Sequence, residues 1–585
     1  MYKIEKAAVV GAGTMGLGIA GQLANAGVEV LLLDLPGSAE QRNAPAERAL
    51  ERLMNPNQPG LLHKDYLARI SVGNIEDDMH RLADADWITE AVIERLDVKK
   101  ALYKQIDEVR KAGSIVSSNT STIPLSLLIE DMPLSFRREF AITHYFNPVR
   151  VMRLLELVSG ADTSPEVISS LAQFNESRMG KGIVICKDTP GFLGNRVGVF
   201  AIQTALHTAF ELGLRPEQAD AIFGRPMGVP KTGVFGLYDL IGIDLMSDVA
   251  KSLESILPGA DAFHEVSKEI PLMVRMITEG YLGNKGVKGG FYRYKDATDS
   301  TSRQTLDFES FTYRDYDREK PAVALDAELS GDFTLLLKND DILGQFAWQV
   351  LSRTLCYAAL LVPDVNRSLV AIDDAMKLGF NWERGPFEMM DAIGTDTMIS
   401  RLEAENREIP PFLELAAGRS FYRVADSTLQ FLDADGSYQA LARSTGTRRF
   451  SEERKTLTAL NENGSASFFN LGQGIGLVEF HSKANALDAD SMKVLRDAVE
   501  YATANLDGLV IHNDAAHFSC GVNIGGILDF IKASDWNGLD HFLHDFQQTV
   551  KVMKYSPIPG VPGSGADRTN QGPYSIYAGF WRRAA

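Results

Sequence analysis

At 585 residues the chain is too long for one hydrophobic core, so its length predicts three to five domains. A formal net charge of -18 argues against nucleic acid or an anionic membrane as a general partner, and no apolar run is long enough to span a bilayer. Three distant cysteines (Cys186, Cys356, Cys520) indicate neither a disulfide framework nor a zinc site. Strand-like sequence begins by Ala7, which leaves no room for a signal peptide and favours a cytoplasmic location.

The first predicted elements surround a glycine-rich turn. Residues 7–10 are predicted as a strand, and a helix is predicted over residues 17–26. Between them Gly11 allows a tight turn, Gly13 lets a pyrophosphate approach the backbone, and Gly16 lets helix and strand pack closely. This strand–turn–helix order favours dinucleotide binding over a purely structural turn.

The same turn and the next strand predict which dinucleotide is bound. Thr14 and Met15 belong to the turn, where the helix N-terminus offers free N–H groups to the phosphates. Residues 28–33 are predicted as a buried strand that ends on Asp34. Because Asp34 would accept bonds from the adenosine ribose and repel a 2′-phosphate, the sequence favours NAD over NADP.

One histidine and one glutamate stand out in residues 140–158. His144 ends a short apolar run, an Asn-Pro turn follows, and a second run carries Glu156. Between two β-rich segments the glutamate can return beside the histidine. A carboxylate bonded to Nδ1–H would leave Nε2 free as a base near neutral pH. A buried core histidine and a solvated glutamate are the alternative that these residues alone leave open.

Two further polar residues are predicted near the same sheet edge. Ser121 follows a predicted strand over residues 114–118, at the end where open α/β sheets bind ligands. Asn195 lies where a helix over residues 197–212 begins, just after a Pro-Gly boundary. Either residue could instead only cap a helix. The alternation of strands and helices through residue 185 predicts a doubly wound sheet.

Together these motifs resemble the NAD-dependent L-3-hydroxyacyl-CoA dehydrogenase family. The matching stretches are Gly11-x-Gly13-x-x-Gly16, Glu90-Ala-Val-Ile-Glu94, Ser118-Asn-Thr-Ser121, His144-Tyr-Phe-Asn147-Pro-Val, Glu156, Asp188-Thr-Pro-Gly-Phe-x-x-Asn195 and Gly289-Gly-Phe-Tyr-Arg-Tyr294. The resemblance covers residues 1–295 in the family's order. It implies an α/β Rossmann-type doubly wound domain, NAD as cofactor and an acyl-CoA thioester as substrate.

The resemblance also implies a role for each matched residue. His144 would be the general base that takes the 3-hydroxyl proton as a hydride leaves C3, and Glu156 would orient it and support the imidazolium. Ser121 and Asn195 would hydrogen-bond the reacting oxygen and position the acyl group. No metal is required, since proton transfer handles the developing charge.

Three more residues match family positions on the cofactor. Glu94 and Lys99 would lie beside the nicotinamide ribose, and Asn147 would lie near the cofactor. An NAD-binding protein without catalysis is the rival interpretation. A pure binder needs neither the histidine nor its glutamate, which argues against that rival.

The second half contains an internal helical repeat. The stretch Arg225-Pro-Met-Gly-Val-Pro, with residues 237–244, has a counterpart in residues 384–396. This predicts duplicated all-α dehydrogenase C-terminal domains without a second nucleotide-binding domain. Family members pair such domains within long chains or across dimers, so a homodimer through the helical domains is one expectation.

From residue 466 the sequence changes to short predicted strands. Residues 466–470, 475–480 and 508–512 resemble the opening of the enoyl-CoA hydratase/isomerase (crotonase) fold, in which the Val522 N–H would be one oxyanion-hole donor. The second donor and the catalytic carboxylates are missing, which speaks against a working hydratase–dehydrogenase. We therefore expect an incomplete α/β crotonase-like segment, through truncation or a frameshift, with exposed edges and apolar surface.

The predicted organisation has six parts. They are an NAD-binding domain (1–185), a helical dehydrogenase C-terminal domain (186–297), a connector (298–333), a second helical domain (334–460), a crotonase-like segment (461–559) and an unmatched tail (560–585).

Overall fold

The computed structural model describes residues 2–55, 59–296, 298–443, 448–513 and 518–563. The chain forms two compact units. The first runs to residue 422 and includes residues 431–439, and the second holds residues 423–430 and everything from residue 440.

An eight-stranded sheet dominates the first part of the first unit. Its strands are β1 (Lys6–Val10), β2 (Glu29–Asp34), β3 (Ile70–Asn74), β4 (Trp87–Glu90), β5 (Ile115–Ser118), β6 (Phe140–Tyr145), β7 (Leu154–Ser159) and β8 (Gly182–Cys186). Their order is β3-β2-β1-β4-β5-β6-β7-β8. The first six strands are parallel, and β7 and β8 run in the opposite direction. The predicted doubly wound α/β class is confirmed.

Helices accompany these strands. They are α1 (Thr14–Asn25), α2 (Ala44–Leu53), α3 (Leu96–Val109), α4 (Leu125–Leu128), α5 (Leu134–Arg138) and α6 (Pro165–Ser177). Helix α1 buries Leu17, Ile19 and Leu23 in the core that also contains Val9 of β1 and Leu32 of β2. This apolar face fixes the glycine turn to the sheet edge where β1 and β4 diverge, the usual ligand crevice of such folds.

A helical domain follows, with a small sheet of its own. Its elements are α7 (Gly194–Glu211), α8 (Pro216–Ile222), α9 (Val234–Ile241), α10 (Ile243–Ile256), α11 (Phe263–Val266), α12 (Pro271–Glu279), β9 (Tyr292–Tyr294), β10 (Arg303–Asp307), β11 (Thr312–Asp315) and α13 (Ala322–Ser330).

The second helical domain has similar parts. They are α14 (Thr334–Leu337), α15 (Ile342–Leu360), α16 (Leu369–Gly379), α17 (Pro386–Ile393), α18 (Thr395–Ala404), α19 (Pro411–Leu415), β12 (Tyr422–Ala425), β13 (Thr428–Leu432) and β14 (Tyr438–Ala440).

Buried aspartates organise the first helical domain. Asp220 accepts from Phe235 N at 2.8 Å and from the Tyr292 hydroxyl at 2.8 Å. Asp239 accepts from Phe291 N at 2.8 Å and from Tyr292 N at 2.7 Å. Burial raises the pKa of each carboxyl to about 7. The two acids fasten the Gly-Gly-Phe-Tyr element to the helices.

The second helical domain repeats this pattern bond for bond. Asp373 accepts from Phe387 N at 2.8 Å and from the Tyr422 hydroxyl at 2.9 Å. Asp391 accepts from Phe421 N at 2.7 Å and from Tyr422 N at 2.8 Å. The predicted duplication therefore extends to the hydrogen bonds that hold each copy together.

The expected connector over residues 298–333 is folded into the first copy. Strand β10 pairs antiparallel with β9 and with β11. Arg314 of β11 donates to Glu217 of α8 at 2.5 Å. Thr305 and Leu306 are buried by this arrangement, so the segment covers the first helical domain rather than merely linking two domains.

The second helical domain packs on the large sheet as well as on the first. Helix α15 lies against α7. At the edge strand β8, the Asn366 amide donates to Ile185 O at 2.9 Å, and Lys187 Nζ donates to Pro363 O at 2.9 Å. Residues from the second copy thereby cover the sheet edge next to the β6–β7 pair.

The second unit contains a mixed sheet. Its elements are α20 (Phe450–Glu453), β15 (Asn461–Glu462), β16 (Ala466–Asn470), β17 (Ile475–Phe480), α21 (Ala489–Asn505), β18 (Gly508–His512), α22 (Ile524–Lys532), α23 (Trp536–Lys554) and β19 (Gly560–Gly563). The strand order is β15-β16-β17-β18-β19, antiparallel at first and parallel from β17 onward. Phe468, Val478 and Leu495 lie in its core.

Two features of this unit bear on the expected incomplete segment. Helix α22 has no buried residue, and Ile524 and Trp536 are 67% and 61% exposed. Gly560–Gly563 forms β19, so the predicted boundary at residue 560 falls at the start of a paired strand. The rest of the predicted tail, residues 564–585, lies outside the described residues. Among described helices, none has the length and apolar character needed to cross a membrane.

Candidate active site

His144 and Glu156 meet across two neighbouring strands. The β6–β7 register places them directly opposite each other, and such pairs project from the same face. His144 Nδ1 lies 2.6 Å from Glu156 Oε2, and both side chains are buried. The contact predicted from the sequence is confirmed, and the sequence-based alternative of a solvated glutamate is wrong.

The other oxygen of Glu156 is bound to the helical domain. Oε1 accepts from Leu193 N at 2.9 Å and from Gly194 N at 2.7 Å, at the N-terminus of α7. The positive end of a helix dipole favours an anion there. The Cys186 thiol lies 3.8 Å from Oε1, and burial beside Glu156 raises the pKa of that thiol. The thiol therefore stays neutral. Among the described residues that contact the imidazole, Glu156 is the acid.

Aromatic rings flank the imidazole. The His144 ring centroid lies 4.6 Å from that of Phe146 and 5.8 Å from that of Phe192. These rings limit the motion of the imidazole and the access of water around it. With Nδ1 bonded to the carboxylate, the arrangement leaves Nε2 as the nitrogen for proton exchange.

The loop that carries Ser121 is held by Glu94. Oε1 of Glu94 accepts from Ser121 N at 3.0 Å and from the Thr122 hydroxyl at 3.1 Å, and it also accepts from the Thr120 hydroxyl. Burial would raise the pKa of Glu94. The nearby Lys99 ammonium and the bonds from Thr120 and Ser121 outweigh burial and hold that pKa below its ordinary value.

Three contacts connect this loop to the rest of the site. Asn119 Oδ1 accepts from Tyr145 N at 2.9 Å, which ties the loop to β6. Asp188 accepts from Leu125 N at 2.5 Å and from Ser126 N at 2.9 Å, which ties it to the start of the helical domain. The loop after β5 is therefore fixed on both sides of Ser121.

The remaining predicted substrate and cofactor residues lie at the same sheet edge or beside it. Asn195 is the second residue of α7, next to Gly194, and is half-buried. Asn147 is exposed in the turn after β6. Lys99 is only 1% exposed and is occupied by Glu90 and Glu94, so Glu94 is the more accessible of the predicted ribose contacts.

The glycine turn has the shape that a dinucleotide needs. A Cβ at Gly11 (φ +107°) would lie 2.5 Å from Ala91 O, and one at Gly16 would lie 1.8 Å from Gly11 O. A Cβ at Gly13 would meet no atom within 4 Å, so open space lies beside the exposed backbone there. Neither a capping side chain nor an acidic residue occupies the first turn of α1, which leaves Thr14 and Met15 at a free helix N-terminus.

Asp34 lies beside this turn at the end of β2. Its Oδ1 accepts from Leu35 N at 2.8 Å, and its Oδ2 lies 3.3 Å from the donating Ala12 N. The carboxylate is therefore held next to the glycine turn while remaining partly exposed. These residues fit a dinucleotide with a free adenosine ribose.

The sequence did not indicate Lys181, which supports the turn after His144. Lys181 Nζ donates to Met152 O at 2.8 Å and to Val149 O, and burial lowers the pKa of Lys181 to about 7. A lone lysine before a strand carries no signal for such a role, because both of its acceptors are backbone atoms.

A nucleotide-binding sheet, with a buried histidine–carboxylate pair at its edge and a helical domain that holds the carboxylate, defines a two-domain dehydrogenase that depends on a dinucleotide. Two family models match the chain. The 3-hydroxyacyl-CoA dehydrogenase NAD binding domain matches residues 6–189, and the C-terminal domain of the same family matches residues 191–294 and 344–421. The chain belongs to the 3-hydroxyacyl-CoA dehydrogenase family, and it is an NAD-dependent oxidoreductase of that family.

Curated relatives align over most of the chain. A Bacillus subtilis protein named probable 3-hydroxyacyl-CoA dehydrogenase is 34% identical over 583 residues, covering 96% of this chain and 73% of the relative. A Rickettsia prowazekii protein, whose name describes a fatty acid oxidation complex trifunctional enzyme, is 31% identical. The alignment covers 95% of this chain and 74% of that relative. A solved 3-hydroxybutyryl-CoA dehydrogenase from Escherichia coli shares the fold, with a TM-score of 0.53 and 24% identity over 70% of this chain and 98% of its own.

Proposed function

We propose that this protein oxidises L-3-hydroxyacyl-CoA thioesters to 3-ketoacyl-CoA with reduction of NAD⁺, as a step of fatty acid β-oxidation. The observation that carries the proposal is the buried His144–Glu156 pair, 2.6 Å apart at the nucleotide-binding edge of the sheet. Alcohol oxidation needs a base within reach of the hydroxyl and a cofactor face held nearby.

In this proposal His144 Nε2 removes the proton of the 3-hydroxyl group. The nicotinamide ring, when bound, would accept the hydride that leaves C3. Glu156, held by Leu193 N and Gly194 N, stabilises the imidazolium through its bond to Nδ1. Ser121 and Asn195 hydrogen-bond the substrate oxygen and position the acyl group. In the reverse direction the imidazolium returns the proton to the 3-keto oxygen.

The cofactor is held along the same edge. Gly11, Gly13 and Gly16 with α1 hold the pyrophosphate, and Asp34 bonds the adenosine ribose, which selects NAD against NADP. Glu94 and Lys99 serve the nicotinamide ribose, Lys99 chiefly by holding Glu94. Asn147 contacts the cofactor from the turn after β6. Thr14 and Met15 complete the phosphate-binding turn.

The deciding experiment measures NADH oxidation by acetoacetyl-CoA. His144→Ala should lower kcat by about 10²–10⁴-fold, the value of one positioned base. His80→Ala, at an exposed histidine outside the contacts described for the site, is the control and should match the wild type.

Two results would contradict the proposal. Equal rates in wild type and His144→Ala would remove the base assignment. NADH binding by the wild type without any turnover would favour the rival in which the protein binds NAD but does not catalyse.

A further inference from the structure

Glu90 is a fully buried acid at the end of β4 that the proposed mechanism does not use. Its Oε1 accepts from Lys99 Nζ at 2.6 Å and from Val92 N at 2.7 Å. Its Oε2 accepts from the Tyr103 hydroxyl at 2.6 Å and from Ser118 Oγ at 2.7 Å. A carboxylate offers about four acceptor sites. All of them are used, so the group is fixed in position.

One path of contacts leads from Glu90 to Glu94. The Lys99 ammonium is shared between them, because Nζ also lies 3.2 Å from Glu94 Oε2. Glu94 in turn accepts from Ser121 N. A single buried cation therefore sits between two carboxylates, and its place depends on both.

A second path runs through the backbone and Ser118. Asn119 N donates to Glu90 O at 2.8 Å, and Thr120 N donates to Ser118 Oγ at 3.1 Å. Both paths end on residues 119–122, the loop that carries Ser121. Loss of the Glu90 carboxylate would therefore weaken the support of this loop through Lys99 and Glu94 and through Ser118, while the backbone bond from Asn119 N would remain.

We propose that Glu90 is a positioning residue of the dehydrogenase, which fixes Lys99, Glu94 and the Ser121 loop where the nicotinamide half of the cofactor meets the substrate oxygen. The inference rests on the proposed function, since it takes from it the roles of Glu94 and Ser121. Misplacing such groups by about 1 Å costs up to roughly 100-fold in rate.

The test is Glu90→Gln in the full chain. The amide keeps the size of the side chain, removes the negative charge beside Lys99 and replaces one acceptor oxygen with a donor. If the NH₂ takes the place of Oε1, the bonds from Lys99 Nζ and Val92 N are lost, and if it takes the place of Oε2, the bonds with the Tyr103 and Ser118 hydroxyls must reverse. We expect kcat for acetoacetyl-CoA reduction to fall by about 10–100-fold and the Kd of NADH to rise several-fold. The Kd of ADP should stay unchanged, because ADP fills only the half of the site beside Asp34.

The comparison of NADH with ADP separates positioning from general damage to the fold. Asp239→Asn is the matched control, since it also replaces a buried acid by its amide, but in the helical domain, where Asp239 accepts from Phe291 N and Tyr292 N. It should lower Tm and leave kcat and both Kd values at wild-type levels. Ser118→Ala removes one of the four bonds at Glu90 and should reproduce a smaller loss of kcat and NADH affinity.

Wild-type kcat and NADH affinity in Glu90→Gln would overturn the inference, and so would equal losses of NADH and ADP binding. If Glu90→Gln does not fold, Ser118→Ala decides, and unchanged kinetics there would count against Glu90. Failure of the proposed function is distinguishable, because it appears as a wild-type protein that does not oxidise NADH with acetoacetyl-CoA.

Discussion

The two oxygens of Glu156 have different partners, and this division sets what the residue can do. Oε2 faces the imidazole, and Oε1 receives two backbone N–H groups from the start of α7. The carboxylate is the acceptor in each of these contacts. The side chain is therefore suited to the anionic form, and it connects the sheet to the helical domain.

Glu156→Gln should lower kcat by about 10²–10⁴-fold with little change in the KM of acetoacetyl-CoA. An amide must turn its NH₂ either toward His144, which selects the wrong tautomer, or toward the N–H groups of Leu193 and Gly194. Steady-state kinetics checks this. Glu139→Gln, at a partly buried glutamate just before β6, is the control. A Glu156→Gln variant with wild-type kcat would show that the carboxylate charge is dispensable.

Asp34→Asn should weaken the choice between the two nicotinamide cofactors. Without the negative charge beside the glycine turn, a 2′-phosphate is no longer repelled. We expect the ratio of kcat/KM for NADH to that for NADPH to fall at least about tenfold. An unchanged ratio would mean that another group selects the cofactor.

Residues with local signatures could be predicted from the sequence, and those with long-range partners could not. His144 and Glu156 lie on consecutive predicted strands that residues 146–153 join, so the sequence indicates that they can meet. Lys181 and Glu90 work through partners such as Met152 O and Ser118 Oγ, which no spacing in the sequence brings together. The roles of Ser121 and Asn195 stay predictions, since both depend on a bound substrate.

At the scale of elements, the second helical domain reaches the wall of the proposed site. Phe380, just after α16, lies 6.1 Å from Phe146 between ring centroids, and Phe146 contacts His144. Gly198 on α7 makes room for Phe380, because a Cβ there would lie 2.2 Å from the Phe380 ring. The duplicate therefore packs directly behind the residues that adjoin the base.

Gly198→Ala should destabilise the first unit by about 1–3 kcal/mol through overpacking against Phe380. The double variant with Phe380→Leu should recover part of this loss, since it removes the opposing ring. Urea unfolding measures both. Gly259→Ala is the matched control, because a Cβ there meets no atom within 4 Å. Equal stabilities of Gly198→Ala and Gly259→Ala would contradict the packing described here.

The limits of prediction differ between elements. The repeat can be predicted from the sequence because the Arg-containing turn and the Gly-x-Asp that follows it recur at matching positions. The sequence over residues 298–333 predicts only a connector, because β10 and β11 are too short to give a clear strand pattern. In the structure, β10 pairs with β9 and with β11.

For the whole molecule, the proposed catalytic residues all belong to the first unit. The second unit is a separate compact body with exposed apolar side chains, Ile524, Trp536 and Tyr555 among them. Large exposed apolar groups favour association between molecules.

Deleting the residues after 460 should therefore raise solubility and leave dehydrogenase turnover unchanged. Static light scattering and the acetoacetyl-CoA assay measure the two effects. A shortened protein that is folded by circular dichroism but has lost turnover would show that the second unit contributes to the reaction.

The packing of α15 on α7 has one last consequence, for behaviour at low enzyme concentration. Where two such helical modules come from different chains, dilution pulls them apart according to mass action. Here a covalent tether keeps both modules at a constant local concentration. Specific activity should accordingly stay constant down to nanomolar protein. Each molecule keeps the contact of Phe380 with Phe146, the ring beside His144.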